Sequence, residues 1–462
     1  MKKTTSCALI LAGLVMLLPA CGGGGGGGSS STTNASPYPA ALTSCAVNDQ
    51  RAWLRDFMND QYFWFDRQGA ANDAATSLDQ YFTSLLYPGV DRYSFSQNTQ
   101  QFLQFFAEGK RKGYGYSLAW ADASQSVLKV RYVEALSPVG VAGLRRGETI
   151  VNIDGFNAAQ IAAGALAAVS TAGVVRNFLV LDSAGSPRGF TAFSAEFALS
   201  PVSHTAVLTA PNGAKVGYLA YQEFITSGAT AMGAAINSFR LAGVTEVVLD
   251  LRYNGGGSTT QARNLASMLG GSRLAGQTFA QFRFNAKNAA NNVVQPFTAS
   301  LATLPAAPLE NLARVFVITS GGTASASELV INSLRPFMPV ITIGNTSFGK
   351  PYGSQPRDAC GTTYSAITLE VANALGSANY TNGFPADCAM SDDLTRELGD
   401  PAELRTAAAL SYIATGICPP FANVPLDNVT QAKRALAFGG GRGQDRNGTG
   451  FGEISLPLML VD

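Results

Sequence analysis

Val315-Phe316-Val317-Ile318-Thr319-Ser320-Gly321-Gly322-Thr323-Ala324-Ser325-Ala326-Ser327-Glu328-Leu329 changes character partway along. Apolar, β-favouring residues run into a patch of small ones, and a helical pattern then begins. This is a strand, a tight turn and a helix start. Ser325 falls near the start of that helix. The helix dipole there stabilises negative charge on a nearby oxygen. A serine in that place is equally suited to be a plain N-cap.

A similar unit lies upstream. Val247-Val248-Leu249-Asp250-Leu251-Arg252-Tyr253-Asn254-Gly255-Gly256-Gly257 is a buried strand entering a glycine turn. Consecutive glycines leave backbone N–H groups uncovered, and such groups can hold a developing oxyanion. Downstream, Ser347-Phe348-Gly349-Lys350-Pro351-Tyr352-Gly353-Ser354-Gln355 places a lysine beside an aromatic ring and between glycines. Around these stretches, strands are expected at 216–221, 246–251, 315–319 and 340–344, and helices at 230–242, 259–269 and 325–334. The alternation marks residues 201–424 as a layered α/β domain.

Further out, the pattern differs. Residues 127–136 (VLKVRYVEAL) read as a strand. They lead into Ser137-Pro138-Val139-Gly140-Val141-Ala142-Gly143-Leu144-Arg145-Arg146-Gly147-Glu148 and Ile150-Val151-Asn152-Ile153-Asp154-Gly155. This resembles a PDZ domain, with Glu148 where an aspartate is usual; a hairpin with turn glycines is the plainer alternative. Strands at 177–182 and 189–199 close the region, 109–200. PDZ domains add an extended peptide as a strand and hold its carboxylate on backbone N–H groups. Gly113, Tyr114, Gly115 and Tyr116 are the expected peptide-binding loop. Before it, Trp53, Leu54, Phe57, Met58, Tyr62 and Phe65 recur at helical spacing. With a second helix at 77–86 and an apolar segment at 102–106, residues 45–108 read as a small helical domain. Residues 425–462 are a Gly-rich tail whose apolar end, 454–461, reads as an edge strand or packed tail.

Taken in order, the 247–257, 322–328 and 347–350 stretches resemble the C-terminal processing peptidases (tail-specific proteases), over roughly residues 50–420. The resemblance implies that Ser325 is the nucleophile and Lys350, 25 residues later, its base. It implies oxyanion donors at Ala326 and at a glycine of the 255–257 turn, for which Gly256 is chosen. The family orients its lysine with a Gln four residues on; here Gln355 is five residues on and Pro351 follows the lysine. Gly255 also replaces the proline usual in the glycine turn. The expected fold class is α/β and α+β multidomain: an N-terminal helical segment, a PDZ-like β-rich domain and an α/β layered protease core. A serine hydroxyl needs a base, and Lys350, with a free pKa of ~10.4, needs burial to serve at neutral pH. The expectation is that no carboxylate stands near it.

The remaining features set the context. Lys+Arg (32) nearly equals Asp+Glu (31), so no broad basic face exists and nucleic acid is not expected as a partner. The lone histidine, His204, and the lack of any CxxC indicate no metal site, and no cofactor is expected. Residues 1–20 read as a signal peptide, with an apolar run too short to span a membrane. Leu18-Pro19-Ala20-Cys21 resembles the bacterial lipobox, which implies lipidation at Cys21 and a tether at 21–44. An ordinary signal cut, leaving Cys21 free, is the alternative. Cys45, Cys360, Cys388 and Cys418 then remain, an even number suited to disulfides in an oxidising compartment. Of three pairings, Cys360–Cys388 and Cys45–Cys418 are favoured; buried free thiols are the alternative.

The expected function is a serine endopeptidase of the bacterial cell envelope. It would be lipid-anchored at the outer membrane facing the periplasm, and would act on proteins or peptides with accessible C-termini. Two alternatives stand beside it: an inactive protease-like peptide-binding scaffold, and a tricorn-like Ser-His hydrolase using His204. An esterase or amidase is disfavoured, because no G-x-S-x-G surrounds Ser325.

Overall fold

The computed structural model describes residues 42, 44–122, 124–166, 169, 171–420 and 458–460. The expected signal peptide, Cys21, nearly all of the tether and most of the 425–462 tail lie outside the described residues.

The core sheet has six strands in the order Val202–Thr209, Lys215–Tyr221, Glu246–Asp250, Val315–Thr319, Val340–Gly344 and Cys388–Ala389. The first pair is antiparallel and the other neighbours are parallel. The pleat sorts the apolar runs onto two faces. Val247, Leu249, Val315 and Val317 meet the helices Ala229–Ala242, Thr259–Gly270 and Ala326–Leu334. Val248, Phe316 and Ile318 meet Leu404–Thr415 on the other side. Both faces are covered, so these strands are apolar throughout instead of alternating. Truncating a side chain such as Leu249 to alanine there costs roughly 2–5 kcal/mol. The parallel strands Glu246–Asp250, Val315–Thr319 and Val340–Gly344 all end on one edge of the sheet, the usual place for a site in such folds.

A second sheet runs Gly256–Ser258, Leu458–Leu460, Tyr352–Ser354, Ile367–Ala372, Thr278–Phe284, Val293–Pro296. The apolar end of the tail is therefore not an edge strand. Leu458–Leu460 is interior, paired on both sides.

Residues 116–193 form a third sheet with a core of its own, including Leu118, Val130, Ile150, Phe178 and Val180. Its strands run Tyr116–Trp120, Leu128–Val133, Thr149–Ile153, Val175–Leu181, Pro187–Phe193, antiparallel throughout.

The N-terminal helices Val47–Gln61 and Leu78–Ser84 form where helices are expected, and the apolar segment 102–106 falls within a third, Thr99–Phe106. They do not make a separate small domain. Trp53, Phe57 and Phe82 share one cluster with Ala324, Phe348, Tyr364 and Ile367, beside two of the three key loops.

All four expected cysteines are bonded, but in a different pairing: Cys45–Cys360 and Cys388–Cys418. The chain's path explains this. Cys360 lies in the hairpin between Arg357–Ala359 and Thr362–Ser365, which packs against the first helix just after Cys45. Leu404–Thr415 runs back over the sheet and delivers Cys418 beside Cys388 on the edge strand. The Cα–Cα distances, 5.7 and 5.5 Å, are those a disulfide requires.

Candidate active site

Three loops at the sheet edge are joined by a small set of buried hydrogen bonds. Asn254, fully buried, joins the first two. Its carbonyl accepts from Ala324 N–H at 3.1 Å and from Ser327 Oγ at 3.0 Å. Its side chain donates to the Tyr221 carbonyl and accepts from Gly256 N–H, both at 2.9 Å.

Ser325 sits between Ala324 and the helix Ala326–Leu334 with φ 59° and ψ −113°. A residue with a Cβ pays on the order of 1–3 kcal/mol for such a conformation, and holds it only where its surroundings enforce it. Here they do: Ala324 N–H is tied to Asn254, Ser325 N–H donates to Glu328 Oε2 at 3.0 Å, and the Ser325 carbonyl accepts from Leu329 N–H at 2.8 Å. The Ser325 side chain is fully buried and its Oγ has no hydrogen-bond partner. It is therefore not acting as a plain N-cap. Ala326, at the first helical position, has an N–H with no acceptor inside the helix.

The third loop is drawn in by one carboxylate. Glu328 Oε1 accepts from Ser347 Oγ at 2.5 Å and Gly349 N–H at 2.7 Å, and Oε2 from Lys350 N–H at 2.8 Å. With Ser325 N–H, that makes four donors on a fully buried group. Burial pushes the Glu328 carboxyl up, and these bonds only partly oppose it. Phe348 N–H donates to the Thr323 carbonyl at 2.9 Å, joining the second and third loops again. Gly349, at φ 89°, must be glycine: a Cβ would lie 2.3 Å from the Thr381 carbonyl oxygen.

Lys350 is fully buried, and desolvation lowers its pKa to about 7. The expectation of no nearby carboxylate is corrected: Asp91 and Glu328 both act on Lys350 in the opposite direction, and burial outweighs them. Asp91 comes from the N-terminal region. It is fixed by Tyr62 Oη and Ser94 Oγ, each donating at 2.6 Å. Tyr93 Oη also donates to the Gly349 carbonyl at 2.9 Å, closing this region over the lysine loop.

Other expected residues stand differently. Gly256 N–H already donates to Asn254 Oδ1, so it does not serve as an open oxyanion donor. Gly256 O and Ser258 N–H both bond Phe224, so by strand alternation Gly257 N–H faces the opposite edge. Gln355 follows Tyr352–Ser354, and its register turns it away from the face shared by residues 350, 352 and 354. The place four residues after Lys350 belongs to Ser354, fully buried with an unpartnered Oγ. His204 lies exposed on an outer strand with its ring near Tyr218, and no described hydrogen bond links it to Ser325. Tyr114 and Tyr116 are buried in the core of the third sheet, and Tyr114 Oη donates to the Val174 carbonyl. They shape the Gly113–Tyr116 loop from below. Among the described residues, no group of three or more His, Cys, Asp or Glu is arranged to hold a metal.

Glu328, Asn254, Asp91 and Ser354 were not singled out from sequence. Only Glu328 had a readable signal: Ser325-Ala326-Ser327-Glu328 has the spacing of a capping box, which brings the glutamate back to the serine N–H.

Behind the first loop lies a buried ion cluster. Arg252 contacts Asp250, Asp392 and Glu403, each at 2.8 Å, and Arg146 from the third-sheet region also reaches Asp392 at 2.8 Å. Burial pushes the Glu403 carboxyl up, but Arg252 outweighs it and holds the pKa at about 2.

The comparisons with known proteins converge on these loops. Residues 215–381 match peptidase family S41. A carboxyl-terminal-processing protease of Picosynechococcus is 26% identical over 319 residues, covering 65% of this chain and 70% of the relative. Its Synechocystis counterpart is 26% identical over 318 residues, covering 65% and 68%. The crystal structure of an S41 protease from Bacteroides fragilis superposes with a TM-score of 0.64 at 25% identity, covering 79% of this chain and 98% of that one. The matched span contains all three loops and the strands that carry them, and it makes the protein a peptidase. Residues 215–381 thus match the S41 peptidases, and the chain is similar over 65% of its length to the carboxyl-terminal-processing proteases.

Proposed function

We propose that the protein is a serine endopeptidase of the Ser/Lys type. The observation that carries the proposal is the Glu328 carboxylate, which accepts N–H groups of both Ser325 and Lys350 and so holds the two loops in one register. A lysine with a pKa of about 7 is partly neutral at physiological pH. Its amine takes the proton of Ser325 Oγ as that oxygen attacks the peptide carbonyl. The ammonium then gives this proton to the departing amine, leaving an acyl-enzyme. Water, deprotonated by the same amine, releases the acyl group and restores the hydroxyl. Ala326 N–H and Gly257 N–H stabilise the oxyanion, Gly257 replacing Gly256. Ser325 Oγ has no hydrogen bond at rest, so a small movement joins it to Lys350 Nζ as substrate binds.

Substrates are proteins or peptides with accessible C-termini, recruited by the PDZ-like region 109–200. Tyr116–Trp120 is the outer strand of its sheet and follows directly on the Gly113–Gly115 turn, the arrangement needed for strand addition. The two disulfides suit an oxidising compartment. With the lipobox-like Cys21, they support anchoring at the outer membrane facing the periplasm.

The test is cleavage of C-terminally defined peptides by wild type, Ser325→Ala and Lys350→Ala. Loss in both variants with retained peptide binding is expected, and unchanged cleavage by Ser325→Ala refutes the proposal. Loss of the lipid-modified N-terminal mass in Cys21→Ser tests the anchor.

A further inference from the structure

The strand Leu458–Leu460 lies between the two strands that carry the site. On one side it pairs in parallel with Gly256–Ser258, matching Leu458 to Gly256, Met459 to Gly257 and Leu460 to Ser258. On the other side Leu460 pairs with Ser354, four residues after Lys350. Gly256–Ser258 and Tyr352–Ser354 do not pair with each other. Removing the intervening strand leaves a slot two interstrand spacings wide, about 10 Å, with an unpaired edge on each side. An extended peptide fits such a slot by adding as a strand. The edge of Gly256–Ser258 that faces the slot carries Gly257 N–H. Ser325 and Lys350 have no exposed surface in this arrangement, and Ser325 Oγ is without a partner. A nucleophile with no exposed surface cannot meet a protein substrate, so some covering element must leave.

We infer that residues 458–460 are a built-in occupant of the substrate-strand slot, holding the peptidase in a self-occupied resting state until a peptide displaces them. The inference rests on the proposed function for what the slot does, but not for where the strand lies. A cis-occupant competes with substrate without altering the chemical step. Its release therefore lowers KM and leaves kcat unchanged. If the segment fills the slot nine-tenths of the time, release lowers KM about tenfold.

The experiment uses the full chain carrying Met459→Pro, which places a proline inside the paired strand and removes one of its ladder N–H groups. Gln444→Pro, outside the paired strand, is the control. The expected result is a fall in KM at constant kcat for Met459→Pro alone. A synthetic peptide with the sequence of residues 456–461 should also inhibit Met459→Pro more strongly than wild type. Hydrogen exchange at residues 256–258 and 352–354, in the Ser325→Ala background, reads the strand without any need for catalysis. Faster exchange there in Met459→Pro supports the inference even if the peptidase mechanism is wrong. Unchanged exchange together with unchanged KM overturns it.

Discussion

Arg252 and Lys350 are both deeply buried cations, and burial lowers both, yet their net shifts run in opposite directions. Arg252 meets Asp250, Asp392 and Glu403 directly, and these three outweigh desolvation and keep it charged. Around Lys350 the nearby carboxylates are committed elsewhere. Glu328 is engaged by Ser347 Oγ and three backbone N–H groups, and Asp91 by Tyr62 and Ser94. Desolvation wins there, and the amine falls to about 7. The lesson is that the direction of a buried group's shift follows from where its counter-charges point. One cluster makes a rigid support, and the other, under the proposed mechanism, supplies the base.

The sharpest break in that comparison is Lys350→Met. Activity should fall on the order of 10⁴-fold, the upper range for loss of a general base. Stability should move the other way. The folded pKa of about 7 lies below the ordinary 10.5, so between these values the unfolded chain binds the extra proton. Stability of the wild type therefore climbs with pH through that window, and the penalty is complete below about 7. The methionine variant, having no charge to desolvate, should be more stable than wild type at pH 6 and equal to it near pH 11, as read by urea unfolding.

Arg252→Met should do the reverse. It leaves three buried carboxylates short of a partner, and the expected loss is about 3–5 kcal/mol of stability. Urea midpoints would show it, with activity falling only as the folded fraction falls.

Asp91→Asn and Glu328→Gln test which carboxylate holds Lys350 up. Each removes a charge that raises the lysine, so the acid limb of the pH–rate profile should move to lower pH in both. The shift should be larger for Asp91→Asn, the stronger of the two influences. Glu328→Gln should in addition lower kcat roughly 10²-fold at all pH values, because the register of the two loops loosens.

The smallest effect is expected from Ser354→Ala. Its buried Oγ has no partner at rest, so stability should change by less than about 1 kcal/mol. A several-fold drop in kcat without a change in KM would mark it as the residue that orients Lys350 in place of Gln355. No change in either would remove that role.

What could be read in advance was what local periodicity carries. The strands at 315–319 and 340–344 have the expected bounds, and the helices at 230–242 and 259–269 each differ by one residue at one end. The helix expected from 325 starts at Ala326, because Ser325 has a positive φ that no apolar pattern encodes. The unread features depend on long-range placement. Asp91 reaches Lys350 only because the N-terminal helices share a core with Ala324 and Phe348. The disulfides follow the path of a hairpin and a returning helix, which cysteine spacing does not reveal. Gln355 is a motif expectation, and strand alternation sets it on the face opposite residues 352 and 354. The slot filled by Leu458–Leu460 is visible only once the strands on either side of it are positioned.

The central claim is that a lysine neutral near pH 7 activates Ser325. The pH dependence of the acylation rate, followed by single-turnover peptide cleavage, tests it most directly. The account predicts a rate that rises with pH around a midpoint of about 7 and is abolished at every pH in Lys350→Met. A midpoint near that of an ordinary lysine, or an acylation rate that survives in Lys350→Met, would contradict it.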